Sequence, residues 1–469
     1  MKPGCMTGRA QQKTAAGKPA DYADPLNSAR RRRADQAGLR LIHDADQNPG
    51  QAETVKQAKR RLRILFLSPH YPPDVAATGQ LVAELAQDVV TAGHESIVIA
   101  SRPDRVAGSH DAAAMPENTE QRDGVQIRWL NIPTAGRRGT WSRLLPFAGY
   151  FLATAWRSLF VGKVDIVFAQ STPPLLAGLL AALHSLVPGR RFVYNLQDVY
   201  PELGQALGVL GHGPVAGLSR RVEATLRRRA DRLVVLADDM REVVRNSDRQ
   251  LQDVDVIPNW ADAAVIGADT GAAGDFRVRN GLQDKFIVMY SGNLGRAHGV
   301  ELLPQVAAQL ADLPDLVLLV IGAGAALPTV QAEAQRLGLK NLAFLPFQPK
   351  EKLSESLCAA DVSLILQRRS VSGLVVPSKL YGILASGRAA VAAVPPECEV
   401  ARVLKSEQAG IVVEPESADG IAAAVRKLYL NRDCAAEMGT RARLAAVNRH
   451  DRQQATGRYI RLFEQLALS

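Results

Sequence analysis

The chain has 469 residues, 47% of them hydrophobic, which is enough for two or three domains with ordinary cores. Its four cysteines, Cys5, Cys358, Cys398 and Cys434, have no paired spacing, which excludes a disulfide framework and a zinc site and fits a reducing compartment. The net charge is +10, but residues 1–61 hold 13 Lys and Arg against 6 Asp and Glu, so the remainder is close to neutral and is no basic grip for nucleic acid.

Residues 1–61 have no periodic apolar runs and read as a disordered basic extension. They lack the apolar core of a signal peptide, so no leader is expected. Their "RRRR" (30–33) is either a solvated charge run or a contact for anionic lipid. From Arg63 a pattern sets in. "RILFLSP" (63–69) is a strand, "QLVAELAQDVVTAG" (80–93) a helix and "SIVIAS" (96–101) a second strand. "DIVFAQ" (165–170), "RFVYNLQ" (191–197), "RLVVLA" (232–237) and "VDVIPN" (254–259) follow, with helical stretches between. Apolar strands alternating with helices predict a parallel sheet covered on both faces, here a first domain over 62–265. A Gly/Ala-rich linker is expected over 266–279. The pattern then restarts with "FIVMYSGN" (286–293) and runs through "LVLLVIGAG" (316–324), "LAFLPF" (342–347), "DVSLIL" (361–366), "AAVAAV" (389–394) and "AGIVVEP" (409–415). That is a second doubly wound α/β domain, 280–447. An amphipathic helix within 448–469 closes the chain.

Two such domains face each other across a cleft, and ligands of doubly wound sheets bind outside the carboxyl ends of the strands. The strand exits are therefore the candidate site. The first, "SPHYPPDVAATGQ" (68–80), has two prolines to stiffen it and Gly79 to let a ligand close to the backbone; a rigid surface loop is the alternative. "NLQDVYPE" (195–202) crowds Gln197, Asp198 and Glu202 behind an apolar strand. Asp198 either orients a sugar hydroxyl, acts as a base or caps a helix. "SGNLGRAHGV" (291–300) offers glycine backbone with Asn293, Arg296 and His298, and "GAG" supplies Gly322 and Gly324. In "VVPSKLYGILASG" (375–387), Pro377 suits a helix start, which puts Ser378 and Lys379 in the first turn. A cation there is unfavourable unless an anion, most often a phosphate, sits beside both. Arg296 and Lys379 from two loops can converge on one diphosphate.

These residues resemble the family 4 glycosyltransferases of the GT-B fold, retaining enzymes, and within them the branch that builds bacterial O-antigen and exopolysaccharide units, with its colanic-acid and N-acetyl-fucosaminyl transferases. The resemblance runs from about 63 to 467. It is carried by "HYPPDVAATG", "AGHE" (92–95), "STPPLLAG" (171–178), "QDVYPE" (197–202), "VIPNWAD" (256–262), "YSGNLGRAHG" (290–299) and "PSKLYGILASG" (377–387). It implies a nucleoside-diphosphate-sugar donor held mainly by the second domain, an acceptor on the first, and no cofactor or metal. Arg296 and Lys379 would hold the diphosphate, Gly79 would approach it from across the cleft, and the last helix would return to the first domain. The family's two glutamates eight residues apart fall at Leu374 and Gly382, so ribose recognition is unassigned. The usual Gly-Arg is Gly292-Asn293, and the usual Lys before Gly299 is His298.

One stretch points to a membrane. "RLLPFAGYFLATAWRSLF" (143–160) is apolar, aromatic and flanked by Arg137, Arg138, Arg143, Arg157 and Lys163, yet too short between its charges to span a bilayer. It is either an interfacial segment or a buried crossover helix. The first reading, with the basic helix "SRRVEATLRRRADR" (219–232), suits a cytoplasmic protein peripheral on the inner face of the plasma membrane and a lipid-linked saccharide acceptor. A nucleotide-sugar 2-epimerase of the same architecture and a non-catalytic membrane-associated relative are the alternatives. The absence of a G-x-G-x-x-G after the first strand argues against a dinucleotide oxidoreductase. Nothing in the sequence fixes an oligomeric state.

Overall fold

The apolar runs form parallel strands because both faces of each sheet are covered by helices. The computed structural model describes residues 60–102 except 75, 118–131, and 149–468 apart from 150, 159, 173, 252, 268 and 269. The basic extension to residue 59 lies outside the described residues, as do Arg137, Arg138, Trp141, Arg143 and Tyr150 of the membrane segment. Both lobes belong to one unit, Arg61–Ser469.

The N-terminal lobe holds β1 (Arg63–Leu67), β2 (Glu95–Ser101), β3 (Thr119–Arg122), β4 (Val125–Leu130), β5 (Ile166–Gln170), β6 (Arg191–Leu196), β7 (Arg232–Val235) and β8 (Val254–Val256), in the order β3-β4-β2-β1-β5-β6-β7-β8. Only β3 runs antiparallel, to β4. The C-terminal lobe holds β9 (Phe286–Ser291), β10 (Leu316–Ile321), β11 (Leu342–Leu345), β12 (Val362–Leu366), β13 (Ala389–Ala393) and β14 (Gly410–Val413), in the order β11-β10-β9-β12-β13-β14. That order reverses direction between β9 and β12, where such sheets open a crevice. The exits of β9 and β12 therefore frame the site.

The 266–279 stretch is not a free linker. Thr270–Arg279 is a helix whose Ala273 and Phe276 are buried in the C-terminal lobe, and Ala263 and Ile266 already pack into that lobe's core. The first crossover therefore comes just after Trp260, which still packs in the N-terminal lobe. The second crossover leads into the final helix, Arg452–Leu468, whose Tyr459, Leu462, Phe463 and Leu466 pack against β1, β5 and Ala77–Thr91. The two crossovers touch: Asp451 accepts a hydrogen bond from the Ala263 amide at 2.9 Å. Among the described residues no helix is long and apolar enough to cross a membrane.

Candidate active site

The β12 exit joins the lobes. Val371, Leu374 and Val376 are buried in the N-terminal core, the Val199 amide donates to the Leu374 carbonyl at 2.8 Å, and Asp198 forms a β-bridge with Val375. Four residues after Val375 comes Lys379, so the QDVYPE loop and the PSK turn share one cleft. Pro377 is buried, Ser378 is exposed at the cap position, and the helix itself starts at Lys379 and ends at Ser386, one step later than the proline pattern implies.

Lys379 is the most unusual group in this cleft. Its ammonium is sealed from solvent and has no hydrogen-bond partner among the described residues. It lies 3.8 Å from the centre of the Tyr290 ring, whose face gives a cation partial compensation. Burial pushes its pKa down to about 7. A Cβ added at Gly292 would sit 3.4 Å from Nζ, so the glycine-rich loop passes directly over the lysine. His298 lies beside it. Burial first, then the positive charge of Lys379, hold the imidazole pKa down near 3, and its Nδ1 has no partner. The result is a neutral imidazole and an unpaired ammonium at a helix N-terminus, an arrangement that favours an anion.

Arg296 lies apart from this pair. Its side chain is exposed, and no ion pair binds it among the described residues. Its carbonyl accepts from Arg368 at 2.8 Å. Arg368, which the motif reading missed, also pairs with Glu416 at 2.9 Å and Glu301 at 3.0 Å, so it fastens the β9 exit loop to the β12 exit. Asn293 is exposed, and its carbonyl accepts from the Tyr290 hydroxyl at 2.8 Å.

Several residues expected to contact a ligand also have structural partners. An added Cβ at Gly322, with φ +147°, would lie 2.0 Å from the Gly292 carbonyl oxygen, and one at Gly324 would lie 2.5 Å from that of Leu294. These glycines let the β10 exit pack on the β9 exit. Gly79 is pressed by His70, whose backbone carbonyl carbon would lie 2.8 Å from an added Cβ, so the nearest group to it is protein. The Gln197 amide donates to Asn195 at 2.6 Å and accepts from Asn259 at 2.9 Å, in a network that reaches Tyr459 of the final helix. Glu202 stands 3.6 Å from the buried Arg227. Leu374 is buried in apolar core, where a glutamate would be desolvated, and Gly382 faces Leu357 at 3.4 Å from an added Cβ. Neither family glutamate position carries a carboxylate.

Asp198 remains free. Its carboxylate has no partner among the described residues, and burial raises its pKa to about 6. Ser171 fixes the loop by donating to the Asp198 carbonyl at 3.0 Å and accepting from the Gln197 and Asp198 amides. At the β1 exit, His70 is held by Asp74 at 2.6 Å, an oriented imidazole that the loop's prolines and glycine overshadowed in the sequence.

Comparison with known proteins bears on the family and the fold. The family model described as "Glycosyltransferase Family 4" matches residues 78–265, and "Glycosyl transferases group 1" matches 274–445. The chain is 27% identical over 392 residues to the Escherichia coli (strain K12) glycosyl transferase WcaI, named for colanic acid biosynthesis, covering 79% of this chain and 92% of that one. In fold it resembles sucrose-phosphate synthase from Thermosynechococcus elongatus, with TM-score 0.70 and 17% identity, covering 87% of this chain and all of that one. It also resembles Anabaena HepE in complex with UDP-glucose, with TM-score 0.62 and 16% identity over 86% of this chain and all of that one. The chain belongs to the family 4 glycosyltransferases and has their GT-B fold.

Proposed function

We propose that this glycosyltransferase moves a sugar from a nucleoside-diphosphate sugar to a saccharide acceptor in bacterial surface polysaccharide synthesis, with retention of anomeric configuration and without a metal ion. The observation that carries the reading is the sealed, partnerless ammonium of Lys379 at a helix N-terminus in the switch-point crevice. A diphosphate is the anion that suits it, and a similar fold in HepE was solved with UDP-glucose. Similarity to WcaI, named for colanic acid biosynthesis, supports a place in polysaccharide synthesis; we place the acceptor on a lipid at the cytoplasmic face of the plasma membrane.

As the anomeric C–O bond breaks, its electron pair moves onto the diphosphate. Lys379 and the first backbone N–H groups of its helix stabilise that charge, and Arg296, free on its loop, turns in to share it. The acceptor hydroxyl attacks from the same face, and its proton passes to the departing phosphate oxygen. Asp198 accepts a hydrogen bond from the acceptor and orients it. His298, being neutral, adds no competing positive charge.

Thermal shift against UDP-, GDP- and dTDP-sugars identifies the donor, since a ligand raises the melting temperature with its saturation. Lys379→Ala abolishes that shift and Arg296→Ala reduces it. NMR of the product from an α-linked donor shows an α-linkage, and chelator leaves the rate unchanged. An inverted product, or nucleoside diphosphate binding that survives Lys379→Ala, refutes the reading. A donor sugar epimerised in the absence of acceptor points to the 2-epimerase instead.

A further inference from the structure

The described part of the membrane segment is amphipathic in an unusual sense. On helical residues 151–158, Phe151, Ala153 and Ala155 pack against the N-terminal core, and Thr154 and Ser158 are buried. The opposite side is bare. Leu152, Trp156 and Phe160, spaced four apart, are 67%, 65% and 63% exposed. The Trp156 and Phe160 rings meet edge to face at 5.5 Å, forming one ridge. A second apolar group, Leu183, Leu186 and Val187, stands exposed at the end of Leu176–His184. Arg190 joins the two. Its guanidinium meets His184 Nδ1 at 2.7 Å and donates to the Gly162 carbonyl at 3.1 Å. Together they make an exposed apolar surface of the kind that soluble monomers avoid.

The rim of this surface is predominantly basic. Arg128 donates to the Phe160 carbonyl at 3.0 Å, and Arg63 to the Lys163 carbonyl at 3.4 Å. Arg157 and Lys163 have no ion pair among the described residues, and Arg63 shares Glu95 with Arg61. Burial, then the nearby charges of Arg63 and Arg157, lower the Arg128 pKa, which marks the guanidinium groups as crowded.

We propose that this ridge and its cationic rim are the surface on which the enzyme lies against an anionic lipid bilayer, with Leu152, Trp156 and Phe160 in the headgroup boundary and Arg63, Arg128, Arg157, Lys163 and Arg190 over the anionic headgroups. The proposal rests on the reading of a lipid-carried acceptor, which gives the surface its purpose. An amphipathic face of aromatic and basic residues, too short to span, is what an interfacial segment requires. A second copy of the chain fits poorly, because a symmetric pairing through this face would set like-charged rims against each other. The donor-binding C-terminal lobe stays clear of the membrane, while the acceptor-binding lobe meets it.

The full-length chain is sedimented with phosphatidylcholine–phosphatidylglycerol vesicles and with pure phosphatidylcholine vesicles. Binding is expected to the mixed vesicles and to weaken with salt. Lipids with brominated chains should quench fluorescence, and Trp156→Phe should remove most of that quenching while leaving sedimentation intact. The triple variant L152S/W156S/F160S should lower partition by about tenfold or more, and the charge reversal R157E/K163E should lower it by about fivefold or more per charge. Both should keep the wild-type circular dichroism and transfer to a short-chain, water-soluble acceptor. Three results overturn the proposal: wild-type sedimentation of the triple variant, quenching unchanged by Trp156→Phe, or no vesicle binding with a concentration-dependent dimer that the triple variant breaks. Absence of transfer from every donor, with quenching at Trp156 intact, defeats the enzymatic reading and leaves the membrane surface standing.

Discussion

The ammonium of Lys379 is costly in the empty enzyme and useful in the occupied one. Its pKa in the folded chain is about 7, against 10.5 ordinarily. Between those values the unfolded chain binds more protons than the folded chain, so the stability of the unliganded protein should rise with pH from about 7 toward 10.5. Lys379→Met should flatten that dependence and raise the melting temperature at neutral pH by about 3 °C or more, while abolishing nucleoside diphosphate binding. Calorimetry of stability against pH checks the first half, and titration with UDP the second. A diphosphate restores the charged lysine, so in the native enzyme the affinity for UDP should fall by up to about tenfold per pH unit above pH 7. Asp198 works in the other direction. Its burial-raised pKa of about 6 means that the ionised carboxylate, the stronger acceptor, predominates only above that value. The acidic limb of the kcat/KM profile should therefore have a midpoint near pH 6, and Asp198→Asn should remove the limb along with most of the activity.

At the scale of elements, the site is held together by loops clamped to one another. Arg368, on the β12 exit, is tied to the β9 exit through Arg296 and Glu301 and to the β14 exit through Glu416. Arg368→Ala should free both loops, raising the KM for donor about tenfold with a smaller change in kcat, because Lys379 itself stays on a packed helix. Initial-rate kinetics separate these terms. The same clamp explains what could be read from the chain. Lys379 was legible because its conflict with the helix terminus is local, within Pro377–Lys379. Arg368 was not, because its partners lie 72, 67 and 48 residues away. The parallel strands were legible from continuous apolar runs. The helix Thr270–Arg279 was hidden by its glycines and alanines, since only the burial of Ala273 and Phe276 betrays it. The hairpin β3–β4 was missed because β3, a polar edge strand with alternating exposure, carries no apolar run. Gly322 and Gly324 suit the approach of a ligand in the sequence, and in the fold each is also required by a neighbouring carbonyl. From sequence alone, a glycine needed for close approach does not reveal whether ligand or protein approaches.

For the molecule as a whole, the question is what fixes the two lobes relative to one another. The chain crosses between them twice, and the crossings are tied side by side. Arg452 is central: it bonds Asp88 at 2.7 Å in the N-terminal lobe, Asp262 at 3.3 Å in the first crossover and the Glu84 carbonyl at 3.1 Å. Only 17% of its side chain is exposed. Removing one member of a largely buried charge network leaves the others unpaired, so Arg452→Ala should cost about 3 kcal/mol of stability in urea unfolding. Phe463→Ala, one helix turn beyond Tyr459 in the same apolar seam, should cost about 3–5 kcal/mol through the cavity it opens. The two differ in their effect on catalysis. Phe463 packs only within the N-terminal lobe, so the residual folded enzyme should keep its kcat. Arg452 spans the crossover, so its loss should also lower kcat in the fully folded enzyme, measured below the unfolding transition. Equal kcat in the two variants would mean that the cleft is set by the β12 exit loop alone, where Val371, Leu374 and Val376 enter the opposite core.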